Sequence, residues 1–170
     1  MDTSMPDSPE IGIFSDDLAR EDHLGSVVRA HIHIESALNS IVEKLTPSPE
    51  HLKRLNLDYD QTVGLALALG LDASWGPALK AIGSLRNRFA HQIDAALDEA
   101  TVNNLYESLP SMGKNNVQAT FTGLKATIHL RPPVDRFAAM DPKGRFQLVA
   151  VSIWSWLRAW LKRRLATNGA

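Results

Sequence analysis

The sequence contains no cysteine among its 170 residues. Disulfide bonds, thiol nucleophiles and cysteine-ligated metals are therefore excluded, and the composition fits a reducing compartment. Long hydrophobic runs are also missing, because no segment reaches the roughly 18 apolar residues that cross a bilayer. Residues 1–10 lack the basic and apolar segments of a secretory signal. We therefore expect a soluble, cytoplasmic protein without membrane contact.

An excess of charge of either sign is likewise absent, since 18 Lys and Arg residues balance 19 Asp and Glu residues to a net charge of −1. Any contact with RNA or DNA must then come from a local basic patch. The sequence also lacks a Gly-rich phosphate loop, an arguable Ser/His/Asp arrangement and a helix-turn-helix with a basic recognition helix. These absences argue against ATP hydrolysis and direct operator binding.

The length and the 44% share of hydrophobic residues predict one globular domain. Residues 1–14 are acidic and Pro-rich, which predicts a flexible N-terminal arm, and the single domain is expected over residues 15–166. Apolar residues at helical spacing, capping residues and prolines predict an all-α, up-and-down bundle of about five helices. The main helices are expected to begin near Ser15 (running to Thr46), Asp58 or Asp60 (running to Gly70), Gly76, Asp98 and Asp141.

The helical pattern is weakest over residues 111–133. Gly113, Asn115, Asn116 and Gly123 interrupt it, and they surround residues with strand-like propensity such as Thr120-Phe121. This composition predicts a long irregular loop or a small β-hairpin.

The candidate catalytic residues lie in the segment Leu85-Arg86-Asn87-Arg88-Phe89-Ala90-His91, inside a predicted apolar helix. The imidazole of His91 can take or give a proton near neutral pH. The planar guanidinium of Arg86 suits a phosphate group, and Arg88 can add a substrate contact. Asn87 lies one turn before His91, so it can fix the imidazole or bind a phosphate oxygen.

Helical geometry separates Arg86 from His91 by about 140°, so the two side chains cannot meet by helical adjacency. Between them lies a strip of small residues, Gly83, Asn87 and Ala90. Such a strip allows close approach of another helix, by analogy with membrane helices. A second copy of the chain can supply that helix, and two-fold symmetry would then bring two motifs together. We therefore expect a homodimer.

The string Arg86-Asn87-x-x-Ala90-His91, downstream of the apolar stretch Gln61–Leu71, resembles the HEPN superfamily and, within it, the mannitol-repressor-like helical proteins. The resemblance covers roughly residues 15 to 165. It implies a paired helical bundle in which Arg86, Asn87 and His91 line a shared cleft. It also implies a metal-independent endoribonuclease of toxin or defence systems, which leaves a cyclic phosphate and requires no cofactor.

Two features qualify what the resemblance implies. Toxins that are blocked by nucleotide transfer carry a Tyr just after the His, whereas Gln92 and Ile93 follow His91 here, so that control is not expected. The mannitol-repressor-like branch implies a non-catalytic regulatory or protein-interaction module instead. The possible partners are thus RNA, an antitoxin or a regulatory protein.

His31 and Glu35 lie one turn apart on the first predicted helix, close to its apolar face. A carboxylate near the core needs a partner, since burying an unpaired charge costs several kcal/mol. We expect Glu35 to reach Arg86 and orient it, as an acidic residue on an early helix does in many HEPN proteins. An ion pair with no role in turnover remains equally open.

Tryptophans and cations alternate near the C-terminus, from Trp154 to Arg164. Trp156 and Trp160 fall largely on one side of a helix with Ile153 and Leu157, which favours a core or dimer-face helix over a membrane anchor. The accompanying cations can form a local basic patch for RNA: Arg158, Lys162, Arg163 and Arg164.

Overall fold

A computed structural model describes residues 9–127 and 135–168, which form seven α-helices and no β-strand. The all-α class is therefore confirmed, with more helices than the five or so expected. None of the described helices is both long and apolar enough to cross a membrane. The helices are α1 (Pro9–Ala19), α2 (His23–Leu45), α3 (Tyr59–Ala68), α4 (Gly76–His91), α5 (Glu99–Glu107), α6 (Ser111–Thr127) and α7 (Pro142–Asn168), with 3-10 turns at Pro49–Arg54, Ala73–Trp75 and Phe137–Ala139.

The first predicted helix is in fact two helices. The Asp22 carboxylate accepts a hydrogen bond of 2.7 Å from the Gly25 amide, so it caps a new helix, α2, after a break at residues 20–22. Helix α1 begins at Pro9, and the Phe14 side chain is fully buried. Residues 9–14, part of the predicted N-terminal arm, thus lie in α1. Residues 1–8 lie outside the described residues.

Capping residues place the other helix starts as predicted. Asp58 forms a capping box with Gln61 at the start of α3, and the Asp98 side chain accepts a hydrogen bond from the Thr101 amide at the start of α5. Gly70, with a φ of 101°, adopts the left-handed conformation after α3, where other residues are strained. Local sequence signals therefore set these boundaries.

The predicted loop or hairpin over 111–133 is wrong for residues 111–127, which form α6. Val117 and Phe121 are buried, and α6 packs on α7. Burial of this apolar face outweighs the weak helix propensity of the Gly and Asn residues. Residues 128–133 lie outside the described residues.

Helix α7 is central to the packing, since α1, α2, α5 and α6 all contact it. Ile153 and Leu157 on this helix are fully buried. The Trp156 ring stacks on the buried Trp75 ring, with centroids 4.0 Å apart and an interplanar angle of 15°. Trp156 is therefore a core residue, in line with its predicted helix face, and Trp154 is buried as well.

Replacing Trp156 by Ala should lower the free energy of unfolding by about 3–5 kcal/mol, because it removes a buried ring and leaves a cavity beside Trp75. The control is Trp160→Ala on the same helix, where the ring is only partly buried. Urea unfolding measures both variants. Equal losses for the two would contradict the central place of the Trp75–Trp156 stack.

Candidate functional site

A pocket of about 480 Å³ lies where α2, α3 and α4 meet. Helix α2 contributes His31 and Glu35 to its lining, the start of α3 contributes Tyr59, and α4 contributes Arg86 and Asn87. Three residues predicted for the site, Glu35, Arg86 and Asn87, therefore share one pocket. The other lining residues are Val28, Ile32, Asp58, Asp60 and Gly83.

The helix faces explain why these side chains meet. On α4, Ile82 and Leu85 are buried in the core, so Arg86 and Asn87 follow on the exposed side. On α2, His31 and Glu35 are one turn apart and point towards α3 and α4. The pocket is thus a consequence of core packing on both helices.

His31 is the buried titratable group of the pocket, with 6% of its surface exposed. Its ring lies against the Tyr59 ring at a centroid distance of 4.4 Å, and its Nδ1 lies 3.7 Å from Glu35 Oε2. Burial lowers the pKa of His31; Glu35 opposes this shift and Arg86 adds to it. The imidazole is therefore neutral at neutral pH.

Tyr59 joins the three helices at the base of the pocket. Its hydroxyl donates a hydrogen bond of 2.9 Å to the Leu79 carbonyl, and burial raises its pKa so that it stays protonated. A Cβ at Gly83 would lie 2.8 Å from two carbons of the Tyr59 ring. At Gly83 the predicted small-residue strip is therefore occupied by α3 of the same chain rather than by a second copy. Asn87 and Ala90 remain exposed.

The predicted contact between Glu35 and Arg86 is not formed. Within the described residues Glu35 pairs with His31, and no ion pair within 4.0 Å joins it to Arg86. The exposed Arg86 guanidinium instead donates from Nη1 to Asn87 Oδ1 at 3.2 Å. Both charges keep contact with water, so neither requires the other as a partner.

His91 lies apart from this pocket. It is exposed at the last residue of α4 and lines a second pocket of about 290 Å³ together with Leu24 and Ile93. A single chain therefore does not bring Arg86 and His91 into one pocket, in agreement with their separation around the helix.

Arg88, which was predicted to bind substrate, makes contacts within the fold. Its Nη2 donates to the Ala96 carbonyl at 2.9 Å and to Thr101 Oγ1 at 3.1 Å. Hydrogen bonds from Thr101 are the main cause that lowers the pKa of Asp98, and Arg88 adds to the shift. The guanidinium thus ties α4 to the start of α5 through Nη2, whereas its buried Nε has no hydrogen-bond partner among the described residues.

An exposed apolar stripe on α2 links the two pockets, a feature that the sequence reasoning missed. Leu24 and Ile32 are 48% and 55% exposed, and Val28 lies between them at the same helical spacing. Val28 and Ile32 line the larger pocket, whereas Leu24 lines the smaller one. Their i, i+4, i+8 spacing could have revealed this α2 stripe. The C-terminal cations lie in neither pocket.

No arrangement of three or more His, Asp or Glu side chains suited to a metal ion occurs in the part of the chain that the structure describes. Comparisons with protein-family models, with curated proteins and with solved structures each give no match.

Gly83→Ala should lower the free energy of unfolding. The methyl group would clash with the Tyr59 ring, which its hydroxyl bond holds in place. Overpacking costs about 1–3 kcal/mol, which outweighs the roughly 0.5–1 kcal/mol gained in helix propensity. Gly64→Ala on α3 is the matched control, since no atom lies within 4 Å of its Cβ position. That variant should be more stable than wild type.

Thermal and urea unfolding of the two variants provide the comparison. If Gly83→Ala were stabilised as much as Gly64→Ala, the Tyr59–Gly83 contact would not constrain the pocket.

Proposed function

We propose that the chain is a metal-independent endoribonuclease of the HEPN type that acts in a toxin or defence role. One observation carries the proposal. Arg86 and Asn87 are exposed at a pocket, and His91 is exposed at the end of the same helix, so phosphate-binding and proton-transferring groups are both open to a substrate.

The proposed reaction is transesterification of RNA. The 2′-oxygen of a ribose loses its proton and attacks the neighbouring phosphorus, and the bond to the 5′-oxygen breaks, which leaves a 2′,3′-cyclic phosphate. Arg86 stabilises the charge that develops on the phosphorane oxygens, and Asn87 donates a hydrogen bond to one of them. His91 transfers a proton in this reaction.

Arg86 and His91 of one chain line different pockets, so the proposal includes the association of two chains. The α2 stripe exposes two large apolar side chains between the two pockets. Exposed apolar surface next to polar groups is typical of interaction sites. A homodimer formed on this face would bury the stripe and place the motifs of two chains along one cleft. The setting is cytoplasmic, with RNA as substrate and an antitoxin as regulator.

A second function is favoured by the charges of the pocket. Glu35, Asp58 and Asp60 surround Arg86, so carboxylates outnumber the cation. A polyanion is repelled by such a lining unless other cations compensate. This balance favours a non-catalytic regulatory module, mannitol-repressor-like, whose pocket receives a basic segment of a partner protein.

Wild type should cleave total RNA in excess EDTA, and His91→Ala and Arg86→Gln should each cleave about 10²–10⁴-fold more slowly, because each lacks a group that acts in the transition state. His51→Ala is the control, since this exposed histidine lines neither pocket and its Nε2 lies 3.5 Å from Glu50 Oε1. Its cleavage rate should equal that of wild type. End-group analysis should find cyclic phosphates.

Unfolding curves and the mass in solution must match wild type for each variant. Cleavage that persists in both motif variants would point to a contaminating nuclease. The absence of cleavage by wild type, together with retention of a basic peptide, would favour the regulatory module.

A further inference from the structure

The pocket that holds Arg86 already contains an imidazole, that of His31. His91 lines the other pocket. His31 is buried yet lines the pocket, and neither ring nitrogen makes a hydrogen bond to the described residues. Neither nitrogen is among the fully buried side-chain atoms of the described residues that lack a partner, so both keep some exposed surface in the pocket. The fold therefore leaves the hydrogen-bonding capacity of this ring for a bound molecule.

Building on the ribonuclease proposal, we infer that this pocket binds the ribonucleotide at the cleavage site and that His31 accepts the proton of its 2′-hydroxyl, with Glu35 as positioning residue. The Glu35 carboxylate lies on the Nδ1 side of the ring at 3.7 Å. A carboxylate there favours the tautomer with a proton on Nδ1, which leaves the Nε2 lone pair to act as the base. This distance is longer than a hydrogen bond. Hydrogen bonds of catalytic groups are often long before substrate binds and shorten in the complex.

The surrounding groups suit this role. A base must be unprotonated before it reacts, and the lowered pKa of His31 keeps it neutral at neutral pH. The charged and titratable groups that share the pocket with it are Glu35 on its own helix, Asp58 at the N-cap of α3, Tyr59 and Asp60 on α3, and Arg86 on α4. Tyr59 stays protonated and makes its hydrogen bond elsewhere, so it does not compete for the proton.

The pocket also has room and contacts for a nucleotide. Its volume of about 480 Å³ falls within the range of small-molecule sites, roughly 300–1,000 Å³. Arg86 and Asn87 offer donors for the phosphate from α4, and Val28 and Ile32 offer an apolar wall for the sugar. The Asp58 carboxylate accepts from the Gln61 amide at 2.8 Å, which turns it to the helix start. Asp60 is exposed, so solvent screens its charge.

The proton and bond changes balance as follows. His31 Nε2 takes the 2′-hydroxyl proton, the 2′-oxygen forms a bond to phosphorus, and the phosphorus–5′-oxygen bond breaks. The 5′-oxygen keeps the electron pair of that bond and takes a proton from His91 of a second copy of the chain, which the proposed dimer must bring to this pocket. Exchange with water then returns both imidazoles to their starting states. Two histidines thus divide the acid and base roles that the sequence assigned to His91.

The first test uses pH profiles of RNA cleavage in EDTA. His31→Asn should lower kcat/KM about 10²–10⁴-fold, whereas His51→Asn should leave it unchanged. Glu35→Gln removes the carboxylate that raises the pKa of His31, so the acidic limb of the profile should move to lower pH. Arg86→Gln removes the cation that lowers it, so the limb of the residual activity should move to higher pH. Shifts in opposite directions are not expected from structural damage.

The second test needs no turnover and keeps the inference falsifiable if His31→Asn fails to fold. Each of the four 3′-mononucleotides is titrated into wild type while the His31 imidazole resonance is followed by NMR across pH. The phosphate should raise the pKa of His31, and Arg86→Gln should weaken binding at least tenfold.

The outcomes separate the two proposals. Cleavage that survives in a folded His31→Asn variant, with an unmoved His31 resonance, overturns the inference and leaves the ribonuclease intact. If wild type does not cleave RNA, the ribonuclease proposal and the role of His31 as base are both wrong. The NMR titration then shows by itself whether the pocket binds a nucleotide. A His31 resonance unmoved by every nucleotide overturns that site as well.

Discussion

The packing of the Tyr59 ring is the contact on which the candidate site depends. The ring lies on Gly83 of α4 and against His31 of α2, and its hydroxyl bonds to the Leu79 carbonyl. One side chain therefore sets the spacing of three helices. The Tyr59 ring lies between the three helices at this point, whereas core side chains pack the same helices together beneath it. The pocket lies at the place where the ring separates the helices.

Much of the fold could be predicted because its signals are local. Asp58 and Asp98 cap helices where their sequence context indicates, and Gly70 takes the left-handed conformation that favours glycine. The break before Asp22 and the helix at 111–127 could not be predicted in this way. The break requires a choice between Ser15 and Asp22 as the residue that caps the long helix. The helix at 111–127 depends on burial against α7, and no local sequence pattern contains that information.

The candidate site also has features that could be predicted from the sequence and features that could not. Helical periodicity separated Arg86 from His91, and the structure places the two side chains in different pockets. Periodicity could not assign partners across helices. Glu35 pairs with His31 rather than with Arg86, and Arg88 is held by the start of α5. Distances between helices arise from packing, and a long side chain such as Arg88 reaches whichever acceptor that packing provides.

The close approach of Tyr59 to Gly83 also bears on how this chain can change over evolutionary time. A larger residue at position 83 needs the space that the ring now fills, and a smaller residue at position 59 leaves a void over the glycine. Neither position can drift freely while the other is kept. Related chains should therefore change the two positions together, and such paired substitution would mark the α3–α4 contact even where the overall sequences have diverged.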